Sequence, residues 1–238
     1  MGNQESGMQY WEDQIEHLLP GQIEARSFAL IDQELDQMGI HLDETTGPVI
    51  RRAIHTTADF DYAKNLVFSP QAVEKGIDAL CHGGIIITDT NMAKAGINKK
   101  KAESLGVQVF CHMADSDVAE RAREKGCTRA AASMEKAAAL LREEKVRRGI
   151  LPPVIFAVGN APTALVELSH LLDERQIQPD LIIGVPVGFV NVEASKEMMI
   201  SRKDVSYIVA RGRKGGSNVA AAIVNALLYQ CPSREVKS

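Results

Sequence analysis

The chain has 238 residues, 45% of them hydrophobic and 24% charged, which suits one large globular domain, or one domain with a small appendage, and argues against disorder or a fibrous repeat. A formal net charge of −4 removes any global electrostatic reason to gather on nucleic acid or an anionic membrane, so a basic site must be local. Cys81, Cys111, Cys127 and Cys231 are scattered without CxxC spacing, the opening residues lack a secretory pattern, and no apolar run approaches the roughly 20 residues of a membrane span, so a reducing cytoplasm is expected.

Residues 1–20 start polar and stop at Pro20-Gly21, which reads as a peripheral arm before a single α/β domain over 21–232. From Gln22 to Met38 the apolar positions Ile23, Phe28, Leu30, Ile31 and Leu35 recur at near-helical spacing, and Gly39 stands where a C-terminal cap belongs. A second helix is expected from about Gly47 into Leu66, with Ile50, Ile54, Ala58 and Tyr62 on one stripe. Ser69-Pro70 looks like the capped start of a helix reaching Leu80.

The character then changes. Gly84 to Thr88, Val107 to Phe110, Val154 to Val158, Leu181 to Val185 and Ser206 to Ala210 are short, β-rich runs bounded by Gly, Pro or polar residues. They show little in/out alternation, the mark of strands buried on both faces of a parallel sheet. Helical stretches lie between them, including Asp117 to Lys125, Ala130 to Arg147, Thr163 to Arg175 and Ser217 to Tyr229. Lys99-Lys-Lys101 reads as a solvated loop. The alternation predicts a three-layer, doubly wound α/β domain with a mainly parallel sheet and added N-terminal helices.

In such sheets ligands collect beyond the carboxyl ends of the strands. The segments there are small and polar: Thr88-Asp-Thr-Asn91, Gly159-Asn-Ala-Pro-Thr163, Pro186 to Val190, and Arg211-Gly-Arg-Lys-Gly-Gly-Ser217. They leave room for a bulky ligand. No G-x-G occurs, so the dinucleotide fingerprint is missing, as are the P-loop, HExxH, GxSxG and zinc-spaced Cys/His patterns. His82 and His112 each neighbour a cysteine, but the two pairs are far apart in sequence and read as structural residues, not as metal ligands.

Three segments remain conspicuous: Arg51-Arg-Ala-Ile-His-Thr-Thr-Ala-Asp-Phe60, Gly159-Asn-Ala-Pro-Thr-Ala-Leu165, and Gly184-Val-Pro-Val-Gly-Phe-Val190 followed by Ser195-Lys196 and Arg211 to Ser217. Together they strongly resemble the precorrin-8X and cobalt-precorrin-8 methylmutase family, in the right order from about Ile23 to Leu228. The resemblance implies a homodimeric isomerase of cobalamin biosynthesis with a parallel-sheet α/β fold. Its reaction moves a methyl group from ring carbon 11 to ring carbon 12 of (cobalt-)precorrin-8, a tetrapyrrole, giving hydrogenobyrinate or its cobalt form, cobyrinate. The family's acid catalyst maps onto His55, and its substrate-contacting serine and arginine map onto Ser27 and Arg52.

Such a shift is a 1,5-sigmatropic rearrangement. It needs neither electron acceptor nor methyl donor, so no cofactor is expected, and any cobalt travels in the macrocycle. Protonating a ring nitrogen beside the migrating group lowers the barrier, and histidine is the side chain whose ordinary titration lies near neutrality. Arg51 and Arg52 face different ways on a helix; Arg52 shares a face with His55 at i, i+3. The substrate's acetate and propionate arms call for guanidinium, ammonium and hydrogen-bond donors. Arg129, Arg211, Arg213 and Lys214 are the candidate cations, with Thr88, Asn160 and Ser217 as donors, the last at a helix N-terminus. Two rivals stay open: a tetrapyrrole-binding protein without catalysis, and a nucleotide-binding domain that uses Arg211 to Ser217 as a phosphate loop.

Overall fold

The computed structural model describes residues 11–12 and 14–232, so the expected arm at 1–20 lies largely outside the described residues. The chain falls into two compact units, 1–41 and 42–238. The first holds α1 (Pro20–Gln37), which ends at Met38 with Gly39 at φ +68°, close to the expected cap. In the second unit a six-stranded sheet runs in the order β1-β6-β5-β4-β2-β3. Its strands are β1 (Leu66–Phe68), β2 (Ile85–Thr88), β3 (Gln108–Phe110), β4 (Val154–Val158), β5 (Leu181–Gly184) and β6 (Tyr207–Ala210).

All neighbours are parallel except β1, which runs antiparallel to β6 with Leu66 opposite Ala210. Strands β2, β4, β5 and β6 are buried at every residue, which is why their sequences lack alternation. One face carries α8 (Arg129–Arg148), α9 (Pro162–Asp173) and α10 (Val192–Ile200); Met134, Leu141, Leu165, Leu168 and Met199 pack there with Ile87, Phe156 and Val209. The other face carries α4 (Ala72–Cys81), α5 (Asn91–Gly96) and α11 (Ser217–Gln230), and α2 (Gly47–Thr57) packs on α11. Contact is close: a Cβ on Gly76 of α4 would come within 2.9 Å of Leu181 and Leu227. The expected three-layer, mainly parallel α/β architecture is therefore present. Strand order reverses between β2 and β4, the switch point where ligand crevices form.

Three expectations need correction. The helix expected to reach Leu66 stops at Thr57, because Ala58 turns left-handed at φ 52°; a separate turn, α3 (Tyr62–Asn65), leads into β1, an edge strand too short to stand out. Ser69 caps no helix. Its N–H donates to the Tyr207 carbonyl at 3.0 Å and its hydroxyl accepts from the Tyr207 N–H at 2.9 Å, so it prolongs the β1–β6 ladder, and left-handed Gln71 opens α4 instead. The lysine run at 99–101 begins α6 (Lys99–Leu105), whose N-cap is Asn98, accepting from the Lys101 N–H at 3.0 Å. Between the strands, α7 (Ser116–Lys125) matches the stretch expected at Asp117 to Lys125, and α5 and α10 stand beside the helical stretches named from the sequence.

Candidate active site at the strand ends

Four segments meet beyond the carboxyl ends of β2, β4, β5 and β6. After β2 the Asp89 carboxylate, with no exposed surface, accepts three consecutive N–H groups from the segment after β4: Gly159 on Oδ1 and Asn160 and Ala161 on Oδ2, each at 2.8 Å. Burial pushes its carboxyl above the ordinary carboxylate range, and the three amides pull the other way by favouring the anion. Beside it, the Thr90 and Ser217 hydroxyls lie 2.7 Å apart, joining the β2 end to the start of α11. The backbones touch: a Cβ on Gly159 would lie 2.7 Å from the Ser217 Cα, and one on Gly215 2.1 Å from the Val185 carbonyl oxygen. Glycine is required at both places by close approach.

Lys196 of α10 lies beneath this surface. Fully buried, it donates to the carbonyls of Gly212 and Lys214 at 2.7 and 2.8 Å, and burial lowers its ammonium to about 8. Lys214 in turn reaches Asp59 and Asp61 at 2.6 Å each, tying the strand-end face to the residues that follow α2. At the far end of α11 the Arg52 guanidinium lies 5.0 Å from the Tyr229 ring centroid. These two ties show that α2 and α11 run antiparallel. His55, exposed in the last turn of α2, sits between them, one turn from Arg52.

A model of the family described as precorrin-8X methylmutase matches residues 22–230. The chain belongs to this family. It is 43% identical over 216 residues to the cobalt-precorrin-8 methylmutase of Salmonella typhimurium, covering 88% of this chain and 95% of that one. It is 40% identical over 217 residues to the cobalt-precorrin-8 methylmutase of Leptospira interrogans, at 89% and 94% coverage. A crystal structure of precorrin-8X methylmutase from Thermus thermophilus superposes with a TM-score of 0.73 at 36% identity, covering 87% and 96%. The protein is thus a methylmutase of cobalamin biosynthesis, an isomerase.

In this methylmutase the expected site residues fall into three groups. Thr88, Asn160 and Ser217 come together at the switch point, but the buried Thr88 hydroxyl faces the carbonyls of Thr90 and Phe110 at 3.0 and 3.3 Å. Its one proton is committed inside the fold, whereas Asn160 is exposed and Ser217 half-buried. Arg129 is exposed at the start of α8, next to the N-cap Thr128, whose hydroxyl lies 2.8 Å from that of Thr163 in the segment after β4. Arg211 and Arg213 reach Glu197 and Glu193 of α10 at 2.7 and 3.3 Å, and the Arg213 guanidinium lies 5.5 Å from the Phe189 ring centroid. Such exposed pairs are worth at most about 1 kcal/mol, so a ligand carboxylate can replace the glutamate. Arg51 folds back along its own helix, its guanidinium 3.0 Å from where a Gly47 Cβ would be, while Arg52 shares the flank of His55.

The third group is Ser27 alone, in the first unit, where its hydroxyl donates to the Ile23 carbonyl at 2.9 Å. No helix of the described residues is long and apolar enough to cross a membrane, and no cluster of three or more His, Cys, Asp or Glu suited to a metal occurs among them. A concavity of about 440 Å³ beside β3, lined in part by Phe110, His112 and Leu140, contains none of the expected residues. Asp89 and Lys196 were not among the expected site residues. Their signals were present: Asp89 immediately follows a wholly apolar strand, and Lys196 shares a helix face with the buried Val192 and Met199.

Proposed function

We propose that this methylmutase converts cobalt-precorrin-8 to cobyrinate by moving the methyl group from ring carbon 11 to ring carbon 12, with His55 as the acid. The observation that carries the reading is the placement of His55. It is exposed in the last turn of a helix, the end that favours positive charge, and that helix is tied through Asp59, Asp61 and Lys214 to the strand-end face. The names of the Salmonella and Leptospira relatives favour the cobalt-bearing substrate.

In the proposed step His55 lends a proton to the conjugated system beside carbon 11, at a ring nitrogen in a metal-free macrocycle and at the π system itself where cobalt holds the four nitrogens, and takes it back after the shift. The π system becomes electron-poor, the bond from the methyl to carbon 11 breaks as that to carbon 12 forms, and the double bonds shift. Atoms and electrons balance within the macrocycle, so the reaction draws on no protein-held cofactor. Arg52, Arg129, Arg211 and Arg213 take the carboxylate arms, with Asn160 and Ser217 as donors; the family resemblance adds Ser27 as a substrate contact. Fixing the flat ring supplies the remaining acceleration. The same reading, from the family resemblance, makes the enzyme a cytoplasmic homodimer.

Conversion of cobalt-precorrin-8 is followed by the absorbance change as the chromophore rearranges. His55→Ala is expected to lower kcat by about a hundred- to ten-thousandfold with little change in melting temperature, because the side chain is exposed. Equal rates for variant and wild type would remove His55 from the mechanism. Absence of turnover by the wild type, with tight product binding, would make the protein a tetrapyrrole carrier.

A further inference from the structure

We propose that Asp89 is a resident anion, filling the amide cradle at the switch point and thereby acting as the positioning residue for Asn160; the second half of this inference rests on the methylmutase reading above.

A loop that leaves a parallel strand and enters a helix N-terminus at a switch point ordinarily offers its N–H groups to an anionic ligand. Here the N–H groups of Gly159, Asn160 and Ala161 converge just ahead of α9, a helix of 12 residues. They converge on the protein itself. Both Asp89 oxygens lie at 2.8 Å, the carboxylate has no exposed surface, and its bonding partners are three amides and not a cation. A phosphate or a substrate arm finds this slot already occupied.

The second consequence is geometric. The Gly159 backbone is pressed against the Gly216 carbonyl and the Ser217 Cα, where a Cβ would find only 2.8 and 2.7 Å. The segment is therefore clamped from two sides, by Asp89 and by the start of α11. The residues flanking Asp89 are fixed as well, Thr88 to the carbonyls of Thr90 and Phe110 and Thr90 to the Ser217 hydroxyl. Asn160 is the exposed member of this segment. Its side chain faces a ligand with its backbone already ordered, which lowers the entropy lost on binding. Substrate carboxylates are left to side chains: Asn160 and the rim arginines.

The test compares wild type, Asp89→Ala and Asp89→Asn by melting and by steady-state turnover of cobalt-precorrin-8, each with and without sodium formate. Alanine leaves a carboxylate-sized void under three amides, and formate fits it; asparagine still fills the slot but turns an N–H₂ toward donors. Both variants should melt lower, and both should raise KM roughly tenfold or more, the cost of misplacing a charge-assisted hydrogen bond, with kcat little changed. Formate should return melting temperature and KM toward wild type in Asp89→Ala, but not in Asp89→Asn. Lower melting with an unchanged KM in both variants would reduce Asp89 to a structural residue. Failure of formate to raise the melting temperature of Asp89→Ala, or its failure to fold even with formate, would overturn the resident anion, and Asp89→Asn would then decide the KM half alone. If the wild type itself turned over no substrate, the methylmutase reading would fall, and formate-dependent melting would still judge the cradle.

Discussion

Lys196 shows what a single buried side chain contributes here. Its amine meets two carbonyl acceptors, Gly212 and Lys214, and a neutral amine has two N–H groups, so losing the third proton breaks neither bond. Because burial lowers it to about 8, folded and unfolded chains both carry the proton below that pH. Between about pH 8 and the ordinary lysine range the unfolded chain keeps a proton that the folded one has shed, so this residue makes stability rise with pH. Denaturant unfolding across that window should show the stability difference between wild type and Lys196→Met shifting in favour of the wild type as pH rises, the subtraction removing groups such as Cys231 that titrate in both. At this scale a motif and an i, i+3 spacing singled out His55 and Arg52, and the structure keeps the two one turn apart on α2. The partners of Asp89 and Lys196 lie 70 or more and 16 or more residues away, and no local pattern announces them.

Among elements, the helices and strands with long apolar stripes or wholly apolar runs were readable, and their observed ends fall within a few residues of those expected. The misreadings cluster between Thr57 and Gln71. There the apolar spacing continues, yet Ala58 and Gln71 adopt left-handed backbones at φ 52° and 59°, a choice enforced by what surrounds the segment: Lys214 holds Asp59 and Asp61, and Tyr207 holds Ser69. Tertiary contacts overrode spacing. The loops beyond the strands are packed as tightly as a core. Gly215→Ala should lower unfolding free energy by more than about 2 kcal/mol, since the added Cβ would meet backbone oxygens of Val185 and Pro186 at 2.1 and 2.8 Å. Gly21→Ala, with nothing within 4 Å in α1, should be neutral or stabilise by up to about 1 kcal/mol. Chemical denaturation of the pair separates close approach from helix propensity.

For the whole molecule, the parallel sheet was legible because strands covered on both faces lose alternation. Strand order and the reversed direction of β1 were not, since they depend on which residues far along the chain supply an edge. The mid-sheet position of β4 makes Phe156, with no exposed surface, a measure of the core: Phe156→Ala should cost about 3–5 kcal/mol in equilibrium unfolding, far more than removing the exposed His55.

The helix bearing His55 comes early in the second unit, but everything that seats it is made late. Strand β1 pairs with β6, Asp59 and Asp61 wait for Lys214, and Arg52 waits for Tyr229. Emerging from the ribosome, residues 47–68 have no docking surface until nearly the whole chain has been synthesised, and closing so long a loop is slow. A prematurely terminated product that lacks the last stretch has no α11 for α2 to pack against, so the helix that carries His55 stays unseated until translation is nearly complete.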